Sequence, residues 1–165
     1  GFAKEPALEM EFYPLTLMNL IDFEYKSKQH WPVYMKRKLF FGIVLGLEAC
    51  HIAGVAHMDL KCDNILLSDL LVPTVCDFGL ARMLTDSHDI LGWTDTYASP
   101  EVKSTFLRMG GYDWRSHDLW TLGVVLCEMM FLFTPDVFEC RESRRDPILG
   151  IPKITTNDKE TRLRL

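Results

Sequence analysis

His57-Met58-Asp59-Leu60-Lys61-Cys62-Asp63-Asn64 gathers two carboxylates, an ammonium and an amide within eight residues. Short apolar runs flank it, Val55-Ala56 before and Ile65-Leu66-Leu67 after, so residues 55–76 read as short strands around two loops. As a pattern the stretch is H-x-D-L-x-x-x-N. Thirteen residues after Asn64 comes Asp77-Phe78-Gly79, and twenty-four after Asp77 comes Glu101 of Pro100-Glu101, preceded by Tyr97-Ala98-Ser99. Seventeen after Glu101 comes Asp118-Leu119-Trp120-Thr121-Leu122-Gly123. One loop Asp most often caps a turn. Carboxylates gathered in one segment mark a solvated loop or a site for a hard cation.

Upstream lies the clearest helical pattern. Pro32 suits a first turn, apolar residues recur at Met35, Leu39, Ile43, Leu47 and Cys50, and Gly54 suits the end of a helix near Ala53. Gly42 and Gly46 inside it cost about 1 kcal/mol each against Ala. Residues 7–13 predict a short strand ended by Pro14, and Leu15–Tyr25 a short helix. Downstream, residues 77–116 read as irregular. A second helix is expected over His117–Phe131, with Ser116 as its cap and an apolar run (LWTLGVVLCEMMF) suited to burial on all sides. The tail from Thr134 is polar and charged.

The 165 residues suffice for a domain with a core, and 48% hydrophobic with 25% charged residues excludes a disordered tail. The longest uncharged stretches in the two most apolar segments, Leu39–Leu47 and Leu119–Cys127, are too short to span a membrane. There is no signal-peptide pattern and no initiator Met, which suggests a start partway through a longer protein. Five scattered cysteines without a Cys-x-x-Cys argue against a disulfide framework or a zinc knuckle. They suit a reducing, intracellular compartment, cytoplasmic or nuclear. A net charge of −5 argues against nucleic acid as a partner. Residues 57–104 hold eight acidic and three basic side chains, whereas the flanking regions balance at six and six, and nine and nine. The whole acidic excess therefore lies around the opening motif.

In order and spacing these motifs resemble the C-terminal lobe of a eukaryotic protein kinase of Ser/Thr type, most clearly over residues 7–133. The resemblance implies a mainly α chain with short β strands, an α+β lower lobe preceded by the hinge. It implies ATP and Mg²⁺ as cofactors, and a protein Ser or Thr hydroxyl as acceptor. Asp59 would accept the hydroxyl proton and Lys61 would touch the γ-phosphate. Asn64 and Asp77 would ligate Mg²⁺. Met10 would stand at the gatekeeper position, the backbone of Glu11 and Tyr13 would meet the adenine edge, and Leu66 would form the floor beneath it. His57 would anchor the loop, Phe78 would pack into the core, and Gly79 would permit the bend after Asp77. Glu101 would be an ion-pair anchor. Asp118 would hold the backbone of the His57–Asn64 loop, where its plainer reading is a carboxylate in a helix's first turn. Lys61, and Thr94 near the end of the activation segment, imply Ser/Thr rather than Tyr phosphorylation.

The chain departs from the family pattern at Met58 (usually Arg), Cys62 (usually Pro), Trp93 (usually Gly) and Ser99 (usually Ala). Met58 offers no guanidinium to an activation-loop phosphate. No Gly-rich loop, no V-A-I-K lysine and no partner glutamate precede residue 7, so the expectation is a partial domain over residues 1–165, its N-terminal lobe absent, inactive by itself. Ile148–Pro152 faintly resembles a motif of the cyclin-dependent and MAP kinases. The alternative function is a non-catalytic, kinase-like interaction module. A small-molecule phosphotransferase is disfavoured by Tyr97–Glu101 and Asp118–Gly123, which form a protein-substrate platform in protein kinases.

Overall fold

The structure, a computed structural model, describes residues 9–85, 92–103 and 113–132. Ala7, Leu8, Asp86, Ser87, Asp89, Cys140 and the tail with Ile148–Pro152 lie outside the described residues.

The described chain begins with β1 (Leu15–Thr16) and α1 (Leu17–Ser27). Thr16 caps α1 reciprocally: its hydroxyl accepts the Asn19 amide at 3.1 Å, and Asn19 Oδ1 accepts the Thr16 amide at 2.9 Å. The expected strand before Pro14 is not found over residues 9–13. Met10 and Phe12 are exposed there, and pairing starts only past the proline, where Leu15 meets Leu67 and Thr16 meets Leu66. Those partners belong to β3 (Ile65–Leu67), the middle strand of a three-stranded antiparallel sheet ordered β1-β3-β4. Its other edge is β4 (Pro73–Val75). Pro73, lacking an N–H, is tolerated on such an edge.

Helix α2 (Val33–Ile52) buries Leu39, Ile43 and Leu47, three of the predicted apolar positions. Gly54, with φ +79°, follows its end in the left-handed conformation that glycine adopts freely. Inside the helix, a Cβ at Gly42 would stand 2.6 Å from Pro73 Cγ, and one at Gly46 would stand 3.2 Å from Val75 Cγ2. The two glycines thus form a notch that lets α2 lie close on β4, and that contact offsets their helical cost. A second pairing joins β2 (Val55–Ala56) to β5 (Arg82–Met83). That strand and the four-residue α3 (Pro100–Lys103) interrupt the region expected to be irregular.

Helix α4 (Trp114–Phe131) starts three residues before its expected His117. Asp113, not Ser116, is the cap, accepting the Arg115 amide at 3.1 Å. The extra turn buries Trp114 against Ala56 and Met58. Burial is one-sided: Leu122, Val125 and Met129 face the core, while Leu119, Leu126, Met130 and Phe131 are exposed. Helices α1, α2 and α4 meet around a buried ion pair, Lys36 Nζ to Glu24 Oε1 at 2.8 Å. Lys36 also donates to the Met129 carbonyl at 2.8 Å, and Glu24 accepts the Trp31 amide at 3.0 Å, so both charges are satisfied. No described helix is long and apolar enough to cross a membrane.

Candidate active site

The loop from His57 to Asn64 leaves β2 at the end of α2 and returns through a 3₁₀ turn (Cys62–Asn64) into β3. Its backbone is held from behind by α4. Asp118, fully buried, accepts the amides of His57 and Met58, each at 2.8 Å, and faces His51 Nε2 at 2.7 Å. Asp118 is the fifth residue of α4, one turn beyond a first-turn position. Beside it, His117 Nε2 donates to the Met58 carbonyl at 3.2 Å, while Nδ1 faces the Ser99 hydroxyl at 3.2 Å. Burial pushes the His117 imidazole below the usual histidine range. Both polar groups of the Met58 backbone are thus gripped by adjacent α4 residues, at a residue whose φ of +68° is costly without such support.

So held, the loop turns Asp59 inward. Its Oδ1 accepts the Thr94 hydroxyl at 2.6 Å, and its Oδ2 pairs with Lys61 Nζ at 2.7 Å. Lys61 donates a second bond to Thr94 Oγ1 at 3.1 Å. Asn64 Nδ2 reaches both the Asp59 carbonyl, at 2.9 Å, and Oδ2, at 3.2 Å. Asp59, Lys61, Asn64 and Thr94 are therefore one hydrogen-bonded knot, built from segments 35 residues apart.

His57 carries the link to the next segment. Its Nε2 donates to the Cys76 carbonyl at 2.8 Å and its Nδ1 accepts the Asp59 amide at 3.2 Å, a pairing that requires the Nε2–H tautomer. The Cys76 amide donates to the Asn64 carbonyl at 3.0 Å. Asp77 follows in the left-handed region (φ +64°) with an exposed carboxylate whose Oδ1 accepts the Gly79 amide at 3.3 Å. A Cβ at Gly79 would stand 3.1 Å from that oxygen. Phe78 does not enter the core as expected: the turn at Asp77 sets its ring against His57, centroids 4.9 Å apart, with 47% of the residue exposed.

Of the expected base-binding residues, Leu66 lies in the β1-β3-β4 sheet and Tyr13 bonds to its edge. Leu66, half-buried in β3, pairs with Thr74, whose hydroxyl donates to Tyr13 Oη at 3.2 Å. Tyr13 in turn donates to Glu11 Oε2 at 3.2 Å. Met10 is exposed. Glu101 stands exposed in the first turn of α3.

Three supporting residues escaped the sequence reading. Glu128 on α4 accepts a hydrogen bond from the Tyr97 hydroxyl, and the Cys62 thiol lies against both. Burial, then the neighbouring carboxylate, pushes the thiol up, and burial does the same to the Tyr97 hydroxyl. A lone acid inside LWTLGVVLCEMMF was the available signal for Glu128. His51 and His117, single histidines in helical segments, carried none.

The described residues contain no cluster of three or more His, Cys, Asp or Glu suited to a metal. Asn64 and Asp77 are nonetheless hard donors of the kind that hold Mg²⁺, an ion usually bound by one or two protein oxygens plus substrate phosphates. Asn64 spends only its amide nitrogen on Asp59, so its carbonyl oxygen fits that use.

A family model described as protein kinase domain matches residues 4–162. Human testis-specific serine/threonine-protein kinase 3 is 38% identical over 108 residues, which is 63% of this chain and 38% of that protein. A mitogen-activated protein kinase of Emericella nidulans is 38% identical over 54% of this chain and 21% of its own length. Mouse testis-specific serine/threonine-protein kinase 5 is 35% identical over 57% of this chain and 25% of its own length. The chain thus spans less than two fifths of these relatives.

Proposed function

The chain belongs to the protein kinase domain family, and from that premise we propose that it acts as a Ser/Thr protein kinase, moving the γ-phosphate of ATP to a protein hydroxyl. The described residues are read as the hinge and larger lobe of such a domain. One observation carries the proposal: Asp59 Oδ1 already accepts an aliphatic hydroxyl, that of Thr94, at 2.6 Å, while Lys61 holds the other carboxylate oxygen. A carboxylate fixed in that way is suited to orient a second hydroxyl, from a substrate Ser or Thr, and to take its proton. The Lys61 ammonium beside it would counter charge on a transferring phosphoryl group. Two of the relatives carry serine/threonine in their names, which supports the same acceptor class.

Proteins of this family generally use ATP with Mg²⁺. Asn64 and Asp77 would hold the ion, which supplies charge neutralisation on the phosphate oxygens when bound. Leu66 and the strand edge beside Tyr13 would receive the base. Asp59 keeps its place because Asn64, Lys61 and Thr94 fix the side chain and Asp118 fixes the backbone before it.

The test is phosphate transfer from MgATP to a Ser- or Thr-containing peptide by the full-length protein, with Asp59→Asn as the comparison. Loss of about 10²-fold or more in kcat is expected, the usual contribution of a positioned acid–base group. Retention of more than about a tenth of the activity would remove Asp59 from the role.

A further inference from the structure

Trp93 is the residue just before Thr94, where the resemblance leads one to expect glycine. Nothing in the proposed phosphate transfer calls for an indole there. The residue is 41% exposed, and its indole Nε1 donates to Asp95 Oδ1 at 2.8 Å. Asp95 is exposed as well. The pair therefore brackets Thr94, whose hydroxyl meets Asp59 at 2.6 Å. Adjacent Cα atoms are about 3.8 Å apart, so the two residues flank the acceptor position along the backbone.

An aromatic face beside a carboxylate is the usual arrangement for receiving a cation. Guanidinium stacks on indole more readily than ammonium does and is less strongly hydrated. The segment of sequence that holds the pair has the matching sign, since residues 57–104 carry eight acidic side chains against three basic ones. Of those three, Lys61 is held by Asp59, and Arg82 and Lys103 also have partners. The Trp93–Asp95 bond fixes the ring in advance, so little rotamer freedom is lost on binding.

We propose that Trp93 and Asp95 form a subsite for a basic side chain, arginine before lysine, flanking the hydroxyl to be phosphorylated. This rests on the kinase reading and names its substrate class: Ser/Thr segments with an adjacent arginine.

The test uses the full-length protein and two fluorescein-labelled peptides, each with one Ser, flanked on both sides by Arg in one and by Ala in the other. Binding is read by anisotropy with wild type, Trp93→Gly, Trp93→Phe and Asp95→Asn. The Arg peptide should bind wild type about threefold to thirtyfold more tightly, the range of one cation–π contact. Trp93→Gly should erase most of that preference, Trp93→Phe should keep part of it, and Asp95→Asn should reduce it. Equal binding of the two peptides by wild type, or a preference untouched by Trp93→Gly, overturns the subsite. Phosphate transfer to both peptides, measured against Asp59→Asn, judges the kinase reading separately. A preference that follows Trp93 without any transfer would uphold the subsite and sink the kinase.

Discussion

The Met58 amide lies 2.8 Å from Asp118 Oδ1, joining the loop that carries Asp59 to the second turn of α4. The same carboxylate also takes the His57 amide and faces His51. Asp118→Ala would leave two buried amides, those of His57 and Met58, without this partner, each worth about 1–3 kcal/mol when orphaned, while the part-buried His51 ring can turn to water. The expected loss is at least about 2 kcal/mol of folding stability. Urea unfolding checks this, read as a lower midpoint at constant slope. A loss under about 1 kcal/mol would mean that water takes over the carboxylate's place.

Acid should weaken the fold through His117. Its folded pKa lies below the ordinary 6.5, because burial disfavours the charged ring. The unfolded chain thus binds the proton first. The stabilisation is fully present above about pH 6.5 and is lost as pH falls toward the folded pKa, by at most about 1.4 kcal/mol per pH unit. His117→Gln keeps a donor and an acceptor but does not titrate. The difference in stability between wild type and this variant should shrink between pH 7 and 5. A difference constant across that range would rule out His117 as the titrating group.

Asp77→Ala should weaken nucleotide binding when Mg²⁺ is present and change it little in chelator. The carboxylate is exposed and touches the protein chiefly through the Gly79 amide, so its removal should not unfold the site. Titration calorimetry with and without Mg²⁺ separates the cases. Equal losses in both would indicate damage to the backbone turn at φ +64°.

Activity should not depend on phosphate in the activation segment. Met58 is 2% exposed and uncharged, so it has nothing to offer a phosphate. Thr94 is already engaged by Asp59 and Lys61. Phosphatase treatment of the full-length protein should leave kcat within about twofold, roughly 0.4 kcal/mol in barrier. A tenfold fall would assign the phosphate to another cation, with Arg82 the first to examine.

What the sequence made legible follows from the range of each signal. The three-to-four-residue periodicity of Leu39, Ile43 and Leu47 is local, and α2 lies where it pointed. The spacing of Asp59, Asn64, Asp77 and Thr94 matched a known pattern, and the knot of Asp59, Lys61, Asn64 and Thr94 lies within it. Failures came where a distant partner decides, or where two local signals compete. Residues 9–13 alternate well enough for a strand, yet β3 pairs with Leu15 and Thr16 instead. Phe78 looked like a core residue until the left-handed turn at Asp77 laid it on His57. The start of α4 was lost because Asp113 outcompetes Ser116 as a cap, and a propensity scale cannot rank two nearby caps.

The notch in α2 ties a remote position to the chemistry. A methyl group at Gly42 would press on Pro73, two residues before Val75 and four before Asp77. The displaced strand would carry Cys76 with it, and the Cys76 amide is bonded to the carbonyl of Asn64. Both oxygen donors proposed for the cation thus share a mechanical linkage to one missing side chain, 35 residues upstream of Asp77 and 22 upstream of Asn64. In a mutational survey, Gly42 should therefore sort with the metal-site variants: Gly42→Ala should lose Mg²⁺-dependent nucleotide affinity before circular dichroism records any loss of helix. Helix content falling first would detach the notch from the site.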